Sequence, residues 1–295
     1  MRISRDQHVH YMSSANRPVA IVKPGEIITV ETADALDGNV VNLAGDVVDD
    51  SLDRRMGVDQ VNPATGPIYI EGVRPGDGVA IHIHDIRPCG VGFMGVGRGA
   101  LGGKVQESIR RFFPAENKTI AFNESLSFSP DPMIGVIGLA PADGEVVWNR
   151  NPGPHGGNMD TKLIRKGARV YITAMQEGGL FSLGDVHLLM ADGEVNGQGI
   201  EINAEVDLSV EIVSQWGMRH PMIETDDVWA CVASHESLEE ACRIAVGQMV
   251  EFLVSRINVT ASEAALILGL VGDVRVCQIV NPLRTGRVEV PKWIF

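Results

Sequence analysis

One stretch concentrates residues able to do chemistry. Gly184-Asp-Val-His-Leu-Leu-Met-Ala-Asp-Gly-Glu194 sets Asp185 and His187 two residues apart, then Asp192 and Glu194 two residues apart across Gly193. In an extended strand, residues i and i+2 share a face. A strand, a tight turn and a returning strand therefore bring the four side chains together. One imidazole and three carboxylates suit Zn²⁺ or a harder ion such as Ca²⁺. The competing reading is a charged hairpin tip with no ligand. Pro154-His-Gly-Gly-Asn-Met-Asp160 is a second candidate. Its adjacent glycines let backbone approach a small molecule, and Asn158 offers both a donor and an acceptor. Gly157, Asn158 and Asp160 are thus candidate substrate contacts, against a plain polar turn.

His82-Ile-His84-Asp85 puts two imidazoles on one face of a predicted strand, about 7 Å apart. Gly76, six residues before His82, completes the Gly-x5-His-x-His opening of a cupin metal site, but Pro88 and Cys89 stand where the cupin glutamate should follow. Two surface-facing histidines are the alternative. Smaller candidates are Glu31 and Asp34 after an early strand, Glu71 after another, and His8-Val-His10 close to the N-terminus, where a frayed terminus is the simpler reading. The expectation is one concave site holding Asp185, His187, Asp192 and Glu194 together with Asp34 and the His82 face. Glu194 and Glu71 compete for the role of general base.

The elements that must position these residues are mostly short strands. Glycine is abundant at 33 and aromatics are only 5%. Turns at Pro24-Gly25, Pro75-Gly76 and Lys166-Gly167 each precede a period-2 run. Further strands are expected at Gly66–Gly72, Ile134–Leu139, Gly199–Val206 and Leu208–Ile212. Helical spacing appears later, over Ser237–Ser255 and Thr260–Leu270. Each begins with a capping-box pattern, Ser237 with Glu240 and Thr260 with Glu263. The tail from Val274 alternates again. Gly90–Gly103 reads as a glycine-rich loop; its spacing is not that of a dinucleotide-binding turn. The fold class is mostly β, a sandwich or jelly-roll-like body with a smaller α/β C-terminal part. One domain spans 1–295, its β-rich portion 1–215 packed against an α/β portion 216–295.

Composition narrows the function classes. A chain of 295 residues with 44% hydrophobic and 21% charged residues is globular. A net charge of −13 argues against nucleic acid and anionic membranes as partners. No apolar run is long enough to span a bilayer. The four cysteines form no CxxC pair, which speaks for a reducing, cytoplasmic location. There is no Gly-x-Ser-x-Gly elbow, and no cysteine sits in a nucleophile context, so covalent catalysis is not supported.

Several segments, in order, resemble the bacterial acetamidase/formamidase family. They are Val19–Ala35, Val61-Asn-Pro-Ala-Thr-Gly-Pro-Ile-Tyr-Ile-Glu-Gly72, Pro75-Gly-Asp77, Gly135-Val-Ile-Gly-Leu-Ala-Pro141, Gly156-Gly-Asn-Met-Asp160, Leu183–Ile200 and Val271–Asn281. The resemblance implies a mostly β fold, a jelly-roll or CUB-like β-sandwich, and metal-assisted hydrolysis of short aliphatic amides such as formamide and acetamide to carboxylate and ammonia. It also implies a divalent metal, a small amide as partner and a homo-oligomer, taken as a dimer. The family usually carries Gly-Asp-Gly-His-Ala-Ala-Gln-Gly-Asp-Gly-Glu where this chain has Gly184–Glu194. Leu188, Leu189 and Met190 are bulkier than their family counterparts. They either reshape the pocket or belong to the core. The rival functions are a cupin-like metalloenzyme using His82 and His84, and a non-catalytic small-molecule-binding sandwich.

Overall fold

The computed structural model of this chain describes residues 1–37, 60–98 and 100–295. Its longer elements are β1 (His8–Val9), β2 (Ile28–Thr32), β3 (Ala64–Ile70), β4 (Gly78–Val96), β5 (Met133–Gly138), β6 (Gly156–Asn158), β7 (Arg169–Thr173), β8 (Phe181–His187), β9 (Glu201–Val213), β10 (Met222–Glu224), β11 (Val228–His235), α1 (Leu238–Arg256), α2 (Ala261–Val271), β12 (Asp273–Gln278) and β13 (Arg284–Pro291). The fold is mostly β, as the turn-and-alternation pattern predicts. The strands pair continuously in the order β6-β5-β8-β9-β4-β7-β10-β11-β13-β12, every neighbour antiparallel. Two branches matter for the site. β3 pairs with β8 on one side and β1 on the other, and β2 pairs with β9.

Hydrophobic pattern explains which strands lie deepest. Met133-Ile-Gly-Val-Ile-Gly138 and Phe181-Ser-Leu-Gly-Asp-Val-His187 are buried at every residue. Strands covered on both faces lose their alternation and read as apolar runs. Ile68, Ile81, Ile83, Ile134, Ile137, Phe181, Leu183 and Val186 form the heart of the larger core. Any polar side chain in these strands is therefore taken out of water, which sets the electrostatics of the site.

Three local expectations change. Glu201–Val213 is one strand rather than two; its register against β4 shifts at Asp207/Leu208, where the sequence pattern breaks. The first half of the glycine-rich segment is not a loop. β4 continues to Val96 and pairs with the strand Ile109–Pro114. Gly99 of that segment lies outside the described residues. The helix caps are right in place but differ in kind. Thr260 and Glu263 make both reciprocal bonds of a capping box. Ser237 accepts from the Glu240 N–H, but the Glu240 carboxylate turns to Arg243 instead.

The C-terminal elements carry a second core. α1 buries Ala241, Ala245, Met249, Phe252 and Leu253, and the last four pack with Trp216, Met222, Val288 and Val290. Gln248 is the one polar residue on that face. Its amide oxygen accepts from the Arg219 and His220 N–H groups, and its nitrogen donates to the His220 carbonyl, so nothing is left unpaired. Among the described residues no single helix is long and apolar enough to cross a membrane.

Candidate active site

The adjacent ends of β8 and β9 build the centre. His187 ends β8 and stands directly across from Glu201, the first residue of β9. The chain between them turns through Ala191–Glu194. Asp160 arrives from just beyond β6. The result is a buried set of one imidazole and four carboxylates. Ligand atoms of Asp185, His187 and Glu201 lie within 4.8 Å of one another, and so do those of Asp160, His187 and Glu194. His187 Nε2 is 3.2 Å from Glu201 Oε2 and 3.6 Å from Asp185 Oδ1. Exposure is 3% or less for Asp160, Asp185, His187 and Glu201, and 7% for Glu194. Glu194 is thus the member nearest to solvent.

The backbone is bent to make this set converge. Asp160, Asp185 and Glu194 have φ of 44, 55 and 45°, and Asn62, which holds Asp185, has 56°. Left-handed conformations in non-glycine residues cost on the order of 1–3 kcal/mol each and persist only where the surroundings enforce them. The amide of Asn62 donates to Asp185 Oδ2 at 2.8 Å, and that of Asn281 donates to Asp160 Oδ2 at 2.8 Å. Each carboxylate is therefore aimed by one asparagine and keeps its other oxygen for the centre. Two glycines make room. A Cβ on Gly135 would lie 2.6 Å from Asp160 Oδ1 and 2.8 Å from Asp185 Oδ2, and one on Gly199 would lie 2.5 Å from the His187 ring.

Among the described residues, His187 is the cation that acts on Asp160, Glu194 and Glu201. Asp160 Oδ1, Asp185 Oδ1, Glu194 Oε2 and Glu201 Oε2 are buried without a hydrogen-bond partner. Burial and the Asp160 charge push Glu194 up to about 10. Burial and Asp185 raise Asp160 to about 7. Burial and Asp185 also lift Glu201, to about 8, against the pull of His187. Burial pushes His187 down, but Glu201 and Asp185 together hold it well above the usual imidazole range. Four orphaned carboxylate oxygens around one imidazole suit a divalent cation, which would satisfy them together. On β6 and just before it, Asn158 Oδ1 and His155 Nε2 are also buried and unpaired, and burial lowers His155 to about 4, so its ring is neutral.

The structure sorts the expected residues. It brings Asp185, His187 and Glu194 together, and it adds Asp160, which sequence reasoning assigned to substrate. Gly157 and Asn158 lie buried on β6, two strands from β8. Asp192 does not join. Its carboxylate takes a bidentate bond from the fully buried Arg287, 2.8 Å on each arm, and Lys162 approaches to 3.1 Å. These cations hold it below the usual carboxylate range despite burial. Glu71 is exposed at the end of β3, away from the centre. His82 packs on His84 at 4.2 Å between ring centroids, and His84 bonds Ser209 at 2.8 Å. Among the described residues no acidic group completes a ligand set there, which leaves the cupin-like alternative without its third ligand. Asp34 is buried, but its Oδ1 accepts from the Leu36 N–H, and it enters neither set of ligands. Leu188 is buried in the larger core and Leu189 packs against it. Glu201 was missed. Glu201 shares the polar alternation of Asn203, Glu205 and Asp207, which reads as a solvent face; its burial at the start of β9 carries no local signal.

Asp192→Asn separates the two roles. We expect metal content and turnover to stay near wild type while unfolding free energy drops by about 1–3 kcal/mol, because Arg287 loses its bidentate partner but keeps Glu289 at 2.6 Å. Loss of metal with unchanged stability would return Asp192 to the ligand set.

The profile of the acetamidase/formamidase family matches residues 7–150 and 144–295. A formamidase of Methylophilus methylotrophus is 26% identical over 76% of this chain and 70% of its own length. An acetamidase of Mycolicibacterium smegmatis is 24% identical over 71% of this chain. The chain spans 66% of that acetamidase's length. The crystal structure of an acetamidase from Bacillus halodurans superposes with a TM-score of 0.93 at 36% identity, covering 100% of this chain and 98% of the other. A predicted acetamidase/formamidase from Thermoanaerobacter tengcongensis gives 0.92 at 37%, covering 99% and 96%. A match along the whole chain, joined to structural agreement at this identity, places this protein in the acetamidase/formamidase family.

Proposed function

We propose that this chain hydrolyses the C–N bond of short aliphatic amides, formamide and acetamide among them, with the help of a divalent metal held by Asp160, Asp185, His187 and Glu201. The observation that carries the reading is the convergence of four buried carboxylates around His187, each with one oxygen that has no hydrogen-bond partner. The donor set is one nitrogen and several oxygens, which fits Zn²⁺ or Ca²⁺. When bound, such an ion polarises a carbonyl and makes water easier to deprotonate.

The chain's own groups do the rest. Glu194 sits on a turn at the most accessible edge of the set, so its carboxylate is placed to take a proton from water. Its proton affinity is raised by burial and by Asp160. A cation that neutralises its neighbours brings that affinity back toward working pH, where a proton shuttle is most effective. The same carboxyl then delivers the proton to the amide nitrogen, so that ammonia rather than an amide anion departs. Asn158, with an unpaired buried Oδ1, can accept from the substrate N–H₂, and the neutral His155 can orient its carbonyl. Asn62 and Asn281 keep Asp185 and Asp160 aimed.

An ammonia-release assay on formamide, acetamide and propionamide, run beside elemental analysis of the purified chain, tests this. Ammonia release that tracks divalent metal content is the expected result. Metal without release on any of the three removes the amide assignment. Release from a metal-free chain removes the metal. Neither metal nor release points to a non-catalytic binding protein.

A further inference from the structure

We propose that His8, His10 and Asp37 form a second divalent-cation site, built on imidazoles, open to solvent and separate from the buried carboxylate set. The sequence reads His8-Val-His10 as a frayed end; the structure instead places it in sheet. His8 pairs with Thr65 and Val9 with Ala64 of β3. Alternate residues of an extended chain share a face, so both imidazoles point the same way. Their ring centroids are 5.1 Å apart and edge-on at 78°. Asp37 comes from beyond β2, where its N–H donates to the Asp34 carbonyl at 2.9 Å and its φ is 57°. One ligand atom from each of the three residues lies within 4.8 Å of the others.

The tautomer of His8 is suited to a metal. Its Nδ1 lies 2.8 Å from the Arg5 carbonyl oxygen. A ring nitrogen facing a carbonyl must carry the proton, which leaves the lone pair on Nε2. That Nε2 is 3.8 Å from Asp37 Oδ2. The gap is too long for a direct hydrogen bond. It is close to the roughly 3.3 Å between neighbouring ligands of a tetrahedral ion with bonds of about 2.0–2.1 Å. The Asp37 side chain is 37% exposed, so an ion can arrive from solvent and keep water in its remaining positions.

Two nitrogens and one oxygen select a borderline ion such as Zn²⁺, Co²⁺ or Ni²⁺ over Ca²⁺ or Mg²⁺. The site is distinct from the buried set. β3 lies between β1 and β8, so β1 stands two strand spacings, about 10 Å, from the strand carrying Asp185.

Co²⁺ titration of the metal-free full chain, read by visible absorption and bound-metal analysis, tests the proposal. Wild type should take up one Co²⁺ more than the His8→Ala/His10→Ala variant. Asp37→Asn should weaken that equivalent by roughly 10–100-fold. The extra equivalent should persist in Asp185→Asn, so a failure of the buried set to hold metal remains distinguishable from a failure here. Equal stoichiometry and affinity in wild type and the double variant overturn the site. A second measurement needs no variant. Zn²⁺ should slow diethylpyrocarbonate modification of His8 and His10 by roughly tenfold or more, because a ligated nitrogen has no lone pair to react, and leave the exposed His235 unchanged. Unaltered rates at His8 and His10 also overturn it.

Discussion

Glu194→Gln is expected to lower kcat by about 10²–10⁴-fold, the usual worth of general acid–base catalysis, with bound metal retained. Glutamine keeps the shape of the side chain and removes its ability to carry a proton. Glu194 is chosen over the other four groups by position. It is the least buried of the set at 7% exposure, it lies on the Ala191–Glu194 turn, and it is within ligand distance of both His187 and Asp160. The parallel substitution Glu71→Gln should leave kcat within about twofold of wild type, since that side chain is exposed at the end of β3 and surface changes away from a site cost little. Pre-steady-state and steady-state rates on formamide, with metal measured on the same samples, decide the matter. Loss of metal along with activity would make Glu194 a ligand and leave the proton carrier to be found among its neighbours. Full activity in Glu194→Gln would sink the proton-transfer step as assigned.

What the sequence disclosed and what it hid follow from the range of the signals. Capping and periodicity are local, and both helices were found with their caps, Ser237 and Thr260, in place. The pair Asp185 and His187 was also local, two residues apart on one strand. Glu201 was not. Its partnership with His187 depends on the register across the β8–β9 connection, which spacing alone does not fix. Asp192 failed for a related reason. Read locally it belongs with Glu194, but Arg287, ninety-five positions away in sequence, claims it. Asp160 reads in the sequence as a substrate contact and not as a neighbour of Asp185, because nothing nearby in the chain tells that Gly135 leaves room for its carboxylate there. The family resemblance, resting on motifs spread along the chain, reached further than any single motif.

Removing the divalent metal should abolish amide turnover and also make stability fall as pH rises. The sign follows from the buried groups. In the metal-free fold Glu194, Glu201 and Asp160 are raised to about 10, 8 and 7, against ordinary values of 4.5, 4.5 and 3.8. The folded state then binds more protons than the unfolded state from about pH 4 upward, and stability declines wherever that is so. The decline should begin near the ordinary carboxylate values, about pH 4, and continue until the last folded value is passed, at about pH 10. His187, also raised, acts in the same direction: the stability it adds in its charged form is lost as pH rises through its folded value. Metal reverses the trend, because the ion binds the deprotonated carboxylates and its affinity grows with pH. At a free concentration about a thousand times its Kd it adds about 4 kcal/mol. For a chain of this size that corresponds to a Tm difference on the order of 10 °C. Differential scanning of chelated and reloaded protein at pH 5, 7 and 9 measures both effects. The gap between the two forms should widen with pH, and the chelated form alone should lose Tm steadily across the series. A chelated Tm that rises from pH 5 to 9 would mean that the carboxylates are neutralised by the protein itself, and the case for a metal among Asp160, Asp185, His187 and Glu201 would fall with it.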